Sequence, residues 1–309
     1  MDGVLNINKP SGPSSHDVVA IIRRATRIKR IGHTGTLDPL ASGVLVVCIG
    51  SATRVIEYMS GWRKSYRATA VLGAETDSED VTGEVIRESD CSHVTRDDLD
   101  AVLPRFVGQI LQVPPMVSAV KYKGRRLYEL ARKGEVVERA PRPVEVYSLR
   151  VTDFQPREKP SFAIEVSCSG GTYIRTLCAD IGKALGCGAY MTSLVRTGVG
   201  PFEIEDAVTL EQVEHMASEG RLQEILHPID EVLVDMPMVV VSQREEALVM
   251  NGVILAEGQY EVIGSSPSVA EHVRIHAQDG RLIAIGVIRP GPDGTPKLKP
   301  EKVFAGSEG

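Results

Sequence analysis

The stretch Gly32-His33-Thr34-Gly35-Thr36-Leu37-Asp38-Pro39-Leu40-Ala41-Ser42-Gly43 decides how the rest of the chain is read. It lies between an Arg-rich amphipathic run and an apolar strand, Val44 to Ile49. Gly32, Gly35, Gly43 and Pro39 exclude a regular helix or strand here and define a structured loop. Pro39 confines Asp38 to extended backbone, because its ring crowds the preceding residue. Leu37, Leu40 and the apolar strand are expected to wall Asp38 with hydrocarbon. One histidine and one carboxylate, His33 and Asp38, are the groups in the loop that carry chemistry. An Asp-Pro pair alone is ordinary turn chemistry.

Upstream of the loop, Val4 to Asn8 alternates apolar and polar residues, a short strand closed by the turn Lys9-Pro10-Ser11-Gly12-Pro13. Ser15 fits as the N-cap of a helix running to about Arg27, with Val18, Val19, Ile22 and Ala25 inward. Downstream, Ser51–Tyr58 reads as a helix. Lys64–Leu72 reads as a strand with Tyr66, Ala68, Ala70 and Leu72 on one face. A strand is expected over Val81–Ile86 and a helix from Thr95 to about Phe106. Val144–Phe154 and Phe162–Cys168 read as strands. A helix follows Gly170-Gly171-Thr172-Tyr173-Ile174-Arg175-Thr176-Leu177 to about Leu185, and a strand covers Gly188–Thr197, including Leu194. Thr209-Leu210-Glu211-Gln212 is a capping box. Composition shifts near Asp235-Met236-Pro237. Beyond it come a helix over Gln243–Val249 and Gly-punctuated strands, one of them following the Asp279-Gly280 turn.

A chain of 309 residues with 42% hydrophobic and 25% charged residues is an ordinary globular composition, sufficient for one large domain and a small one. No apolar run approaches the roughly 20 residues that cross a bilayer, and Met1–Lys9 lacks the pattern of a signal peptide. Five cysteines without a C-x-x-C pair read as reduced thiols and provide no zinc spacing. The net charge of −6 argues against a generic polyanion binder. Its distribution softens that reading. Arg23, Arg24, Arg27, Lys29 and Arg30 carry five positive charges with no acid among them, and residues 121–142 hold eight basic against three acidic side chains. Residues 75–100 hold ten acids against two arginines. One face can attract RNA while another repels it.

Gly32 through Leu45 matches the pattern G-H-x-G-x-L-D-P-x-A-x-G-x-L, and so resembles the active-site motif of the TruB family of tRNA pseudouridine synthases. Three further stretches carry the same resemblance in the same order. They are Lys9-Pro10; the Q-x-P-P-x-x-S-A-x-K run from Gln112 to Lys121; and the G-T-Y-I-R-[ST]-L run from Gly171 to Leu177. The resemblance implies an α/β (α+β) fold: a mixed, largely antiparallel sheet forming a catalytic domain over residues 1–235. An RNA-gripping thumb is inserted at about 112–142. Residues 236–309 resemble, more loosely, a small β-barrel-like PUA domain.

The activity implied is isomerisation of one uridine, position 55 in the T loop of tRNA, to pseudouridine. The N1–C1′ bond breaks, the flipped uracil turns while bound, and C5 bonds to C1′. A carboxylate beside the sugar either adds to C1′ or removes the C2′ proton, and Asp38 matches that position. An Asp among apolar groups drifts toward its neutral form, so a cation must hold it ionised. Arg175 matches that cation and can pair with a carboxylate through its planar fork. Tyr66 matches the aromatic residue at the base, able to stack on uracil and to take part in removing the C5 proton. Tyr173 and Leu194 match the remaining pocket positions. His33 matches the residue that fills the space of the flipped nucleotide or holds it extruded. Lys121, Lys123, Arg125 and Arg126 are the expected RNA contacts of the thumb. No cofactor or metal is implied. The partner implied is the T stem-loop of tRNA, with no membrane and no obligatory protein partner, for a monomer acting in the cytoplasm.

Two other readings stay open at this point: a non-catalytic RNA-binding or tRNA-folding protein, and the guide-RNA-dependent relatives that modify ribosomal RNA. Asp38 argues against the first, because pure binding gains nothing from a carboxylate beside phosphates. The Leu127-Tyr128-Glu129-Leu130-Ala131-Arg132 run resembles the thumb of the stand-alone bacterial type and argues against the second.

Overall fold

The apolar run after the loop forms the strand Ser42–Ile49, and it is apolar throughout because both its faces are covered. Val44, Val46 and Cys48 face one core cluster; Leu45, Val47 and Ile49 face another that contains Val18 and Ile22. In the computed structural model, which describes residues 1–118, 120–131 and 133–304, this strand belongs to a nine-stranded sheet. The order along the sheet is Gly3–Lys9, Ser42–Ile49, Ala189–Val199, Lys64–Leu72, Ser161–Cys168, Arg142–Gln155 and Gly108–Gln112. Ile31–His33 pairs with Ser42–Ile49, and Phe202–Glu203 pairs with Ala189–Val199. Neighbours are antiparallel except where Ser42 and Gly43 meet Val195 and Arg196 in parallel. The fold is therefore the mixed, largely antiparallel α/β arrangement expected.

Lys64–Leu72 alternates as its sequence demands. Lys64, Tyr66, Ala68, Ala70 and Leu72 are buried, and Arg67 is exposed. Arg196 lies directly across from Tyr66, and Leu194 from Ala68. Directly opposed residues share a face, so Lys64, Tyr66, Leu194 and Arg196 all project to the same side of the sheet. The helix Ile174–Ala184 packs on that side through Ile174, Leu177, Cys178 and Ile181. All five cysteines are buried and unpaired.

Three local expectations are corrected. The first helix, Ser15–Thr26, is capped by Ser14, whose hydroxyl and backbone N–H trade hydrogen bonds with Asp17 in a capping box. Ser15 is instead buried and bonded elsewhere. The segment Gly50–Val55 is a 3₁₀ turn leading into the short helix Ile56–Met59. The strand expected at Val81–Ile86 is confined to Val85–Glu88, paired with Ala74–Thr76. The preceding residues are tied in a turn by the Asp80 side chain, which accepts from the Thr82 N–H.

In the insertion, Lys121–Tyr122 and Arg125–Arg126 form a two-stranded ladder, followed by the helix Leu127–Ala131. Ala119 and Arg132, both within the expected thumb, lie outside the described residues, as do the side chains of Lys121 and Arg126. From residue 238 on, a five-stranded sheet runs in the order Glu261–Ile263, Met238–Val241, His272–Ala277, Leu282–Pro290, Pro296–Val303. Ile285 and Phe304 from this region join Val4, Val44, Val46, Val55 and Met59 in one apolar cluster. Among the described residues no helix is long and apolar enough to cross a membrane.

Candidate active site

The loop is fixed by contacts at each end. Its N-terminal part extends the short strand Ile31–His33, and the Thr34 N–H donates to the Val46 carbonyl. At its centre the Ser15 hydroxyl donates to the Leu37 carbonyl at 3.0 Å and accepts from the Leu37 N–H at 2.8 Å. The turn after the first strand adds two more ties: the Gly12 N–H donates to the Pro39 carbonyl and the Ser11 hydroxyl to that of Leu40. A further hydrogen bond, from the Ala41 N–H to the Asp38 carbonyl, closes a turn around Pro39. The Ser11-Gly12 turn that follows Lys9-Pro10 therefore braces the loop.

Arg196 anchors the loop from below. Its guanidinium is 1% exposed and donates to the carbonyls of Val44 at 2.7 Å, Gly35 at 3.1 Å and Thr36 at 3.4 Å. Gly43 is required by this crossing. Its φ is +100°, and a Cβ there would sit 2.2 Å from the Arg196 carbonyl oxygen.

Asp38, held at this turn, is partly exposed at 39% of its side chain. Arg175, at the start of its helix and only 4% exposed, reaches it with one nitrogen, 3.2 Å from a carboxylate oxygen. The same nitrogen donates to the Val117 carbonyl at 2.6 Å. Its other terminal nitrogen lies 3.2 Å from a carboxylate oxygen of Asp80. The fork is thus split between two carboxylates rather than spent on Asp38 alone. Asp80 is buried, and its second oxygen accepts from the Ser78 hydroxyl and from the N–H and hydroxyl of Thr82. The Arg175 Nε has no partner among the described residues.

Asp38, Arg175, Tyr66, Tyr173 and Leu194 line one pocket of about 220 Å³ together with Lys64, Ser118, Met191 and Arg196. That volume lies below the roughly 300 Å³ at which sites for drug-sized ligands begin, and suits a single ring. Tyr173 is set by Gln112, whose side-chain amide accepts from its N–H at 3.0 Å and donates to its carbonyl at 3.2 Å. Burial raises the Tyr66 hydroxyl above its ordinary value, with the Arg196 guanidinium opposing in part, so the neutral phenol is the resting form. Lys64 is 6% exposed and donates to the Ser60 and Trp62 carbonyls at 3.0 and 2.9 Å. Desolvation lowers its ammonium to about 8, and that of Lys9 to about 8 as well. The Ser118 hydroxyl, at the base of the insertion, is buried without a partner among the described residues. The expected hydrocarbon around Asp38 is present: Leu37, Ile174, Met191 and Leu194 line the same pocket, and the cationic groups of Lys64, Arg175 and Arg196 are set among them.

His33 does not line this pocket. It packs edge-on to His16, ring centroids 5.4 Å apart, and burial lowers its imidazole to about 4, with His16 and Arg196 adding to the effect. Of the thumb cations, Lys123 and Arg125 lie apart from the pocket too. Arg125 pairs with Glu135 at 3.6 Å, and Lys123 lies over the Tyr122 ring.

Asp80, Lys64, Arg196 and Ser15 took no part in the site read from the sequence. Asp80 is one of ten acids between residues 75 and 100, and its spacing does not single it out. Lys64 carried a usable signal: a lysine on the inward face of an alternating strand.

The site is an Asp–Arg pair at a small pocket on one face of a mixed sheet, and the family comparisons give the class it belongs to. Residues 23–174 match the TruB family pseudouridylate synthase N-terminal domain, and residues 175–234 match the tRNA pseudouridylate synthase B C-terminal domain. The tRNA pseudouridine synthase B of Symbiobacterium thermophilum is 53% identical over 82% of this chain and 83% of its own. That of Moorella thermoacetica is 44% identical over 98% of this chain and 99% of its own. Among solved structures, a Cbf5-Nop10-Gar1 complex gives a TM-score of 0.75 at 30% identity, over 98% of this chain and 85% of the matched one. An H/ACA RNP bound to a substrate RNA containing 2′-deoxyuridine gives 0.75 at 28%, over 99% and 86%. The chain belongs to the TruB family of pseudouridylate synthases.

Proposed function

We propose that this chain isomerises a uridine of tRNA to pseudouridine, at position 55 in the T loop. The observation that carries the reading is the Asp38–Arg175 pair at the mouth of a ring-sized pocket that also holds Tyr66 and Leu194. The curated relatives named for tRNA, at 53% and 44% identity, favour tRNA over guide-directed substrates; the Cbf5 likeness is 30%.

In this reading Tyr66 and Leu194 flank the flipped uracil, and Tyr173, fixed by Gln112, closes the side. The unpartnered Ser118 hydroxyl and Arg175 Nε are donors that a bound nucleotide satisfies. Asp38 either bonds to C1′ or takes the C2′ proton. On both routes the N1–C1′ electron pair leaves with the base, so uracil departs as an anion. After rotation, C5 supplies the pair for the new C5–C1′ bond. On the first route the Asp38–C1′ bond breaks and its electron pair returns to the carboxylate. On the second, C2′ regains its proton. The C5 proton is then lost to a base, with the neutral Tyr66 hydroxyl taking part as a proton relay, and N1 gains one. Residues 1–235 form the catalytic domain, the insertion at 112–142 grips RNA through Lys121, Lys123, Arg125 and Arg126, and His33 supports the extruded nucleotide from beside the pocket. Residues 236–309 form a PUA-like RNA-binding domain, supported by their separate five-stranded sheet. The chain acts alone, as a cytoplasmic monomer.

The test uses Asp38→Asn and bare, unmodified tRNA. Asn keeps the shape and loses the carboxylate. Filter binding should stay within about tenfold, roughly 1.4 kcal/mol, while nucleoside chromatography of digested tRNA should detect no pseudouridine above background. Product formation near the wild-type rate would overturn the assignment. A wild-type chain that binds tRNA without converting it would favour the guide-dependent or non-catalytic readings.

A further inference from the structure

Buried charges persist where they are paired, because desolvating an ion alone is costly. Around this pocket the pairing is uneven. Arg175 stands between Asp38 and Asp80, one positive charge against two negative ones. Lys64 and Arg196, 6% and 1% exposed, add two more cations. Among the described residues no carboxylate lies within ion-pair distance of either; their bonds go to the carbonyls of Ser60, Trp62, Val44, Gly35 and Thr36. With Lys9, fully buried and within electrostatic reach of Asp38 and Arg196, four cations surround two carboxylates. The Lys64 and Arg196 side chains both pass beside Gly35, and the Lys64 Nζ itself lies 3.3 Å from where a Cβ on Gly170 would sit. A Cβ on Gly35 would lie 3.5 Å from the Lys64 Cε and 3.8 Å from an Arg196 terminal nitrogen. Both residues line the pocket beside Tyr66.

Lys64 has three N–H donors, and the Ser60 and Trp62 carbonyls occupy two. Arg196 has five donors and spends three on the loop and strand carbonyls. Arg196 also bonds the Tyr66 hydroxyl, so each cation keeps at least one donor not committed to backbone, and both residues line the pocket.

We infer that Lys64, backed by Arg196, forms an anion subsite that receives the departing uracil, with the Lys64 ammonium held against a uracil carbonyl oxygen as negative charge develops on the ring. The inference rests on the proposed isomerase reading and holds on either route for Asp38. On both, the N1–C1′ bond breaks with its electron pair passing to N1, and the charge spreads to O2 and O4. Fixed donors aimed at developing charge in a water-poor site contribute strongly to rate, and removing one typically costs about 10²–10³-fold.

The test compares two RNA stem-loops, with uridine or 5-fluorouridine at the target position. Fluorine at C5 withdraws electrons and stabilises the uracil anion, so its departure needs less help from the protein. The variants are Lys64→Met, which removes charge and donors, and Lys64→Gln, which is neutral yet can still donate to the Ser60 and Trp62 carbonyls. Circular dichroism reports folding of both, and Lys64→Gln carries the test if Lys64→Met does not fold. Single-turnover loss of the intact target nucleoside, read by chromatography after digestion, gives the glycosidic cleavage rate. For uridine the loss should be about a hundredfold. For 5-fluorouridine it should be less than about tenfold, with binding of both RNAs near wild type. Equal losses on the two substrates would assign Lys64 a purely structural role and overturn the inference, as would an unchanged uridine rate. Absence of pseudouridine in the wild-type uridine arm would overturn the isomerase reading itself, and the inference with it.

Discussion

Arg175 shows why the residue scale matters here: its partner was only half visible from the sequence. Its split between Asp38 and Asp80 makes Asp80 a positioning residue. Asp80→Asn keeps the shape, but the amide must place its N–H₂ either against the guanidinium or against donors from Ser78 and Thr82. A donor facing a donor in a buried site costs about 1–3 kcal/mol. Urea unfolding should register that loss, and single-turnover pseudouridine formation should fall at least tenfold while tRNA binding changes little. Unchanged rate and stability would remove Asp80 from the network. His33 provides a second residue-scale test. Its imidazole falls from 6.5 to about 4 on folding. Between those pH values the unfolded chain binds a proton that the folded chain refuses, so stability drops as pH falls through that window. The effect is roughly 1–3 kcal/mol after allowance for partial exposure. Urea midpoints at pH 7 and pH 4.5 should therefore converge more closely in His33→Gln than in wild type. Equal pH losses in the two proteins would show that His33 does not carry this term.

At the scale of elements, much of the architecture was legible because it follows from simple periodicities. The alternation of Lys64–Leu72, the apolar run after Gly43 and the capping box at Thr209 all form as their patterns require. Contacts between elements far apart in sequence were illegible. Ser14 and Ser15 are equivalent as cap signals, and the choice falls to Ser14 because Ser15 is taken up by Leu37, 22 residues away. Arg196 reads as one more polar residue on a strand. Its burial follows only from the sheet order, which lays that strand beside Ser42–Ile49. The motif containing Asp38 was legible as a chemical unit, whereas the cations beneath it were not, since they come from strands that the sequence does not order. Ser15→Ala tests the helix–loop contact. It leaves the buried Leu37 N–H and carbonyl without their partner, at about 1–3 kcal/mol, and frees the backbone beside Asp38. Thermal unfolding should shift down, and single-turnover rate should fall more than RNA affinity. Lowered stability with an unaltered rate would mean that other ties suffice to hold Asp38.

The whole molecule shares one apolar cluster between its two main sheets, and this bears on how separable they are. Ile285 and Phe304 pack with Val4, Val44, Val46, Val55 and Met59, and Val44 directly follows the Asp38 loop. Polar contacts reinforce the junction. Asp230 accepts from Arg274 at 2.8 Å and lies 2.9 Å from His276, Lys302 reaches Glu57 at 2.8 Å, and Tyr58 stacks at 4.8 Å on His272. All the residues assigned to the chemistry lie upstream of Val234, which by itself would let a chain ending there keep its activity. The shared cluster argues that such a chain exposes the apolar backs of Val44, Val46 and Met59, which are fully buried in the complete chain. Exposing a large apolar side chain costs about 1.5–3 kcal/mol, a large share of a typical domain's 5–15 kcal/mol. A chain ending at Val234 should therefore unfold well below the full chain and tend to aggregate. A milder variant separates stability from chemistry. Asp230→Asn in the full chain removes the charge that pairs with Arg274 but leaves the apolar cluster in place. It should lower the unfolding temperature by a few degrees while keeping the single-turnover rate on an isolated T stem-loop within about threefold. Calorimetry of the full chain should show one cooperative transition. Two well-separated transitions, or a 1–234 chain as stable as the whole, would mean that the shared cluster contributes little and that the two sheets fold independently.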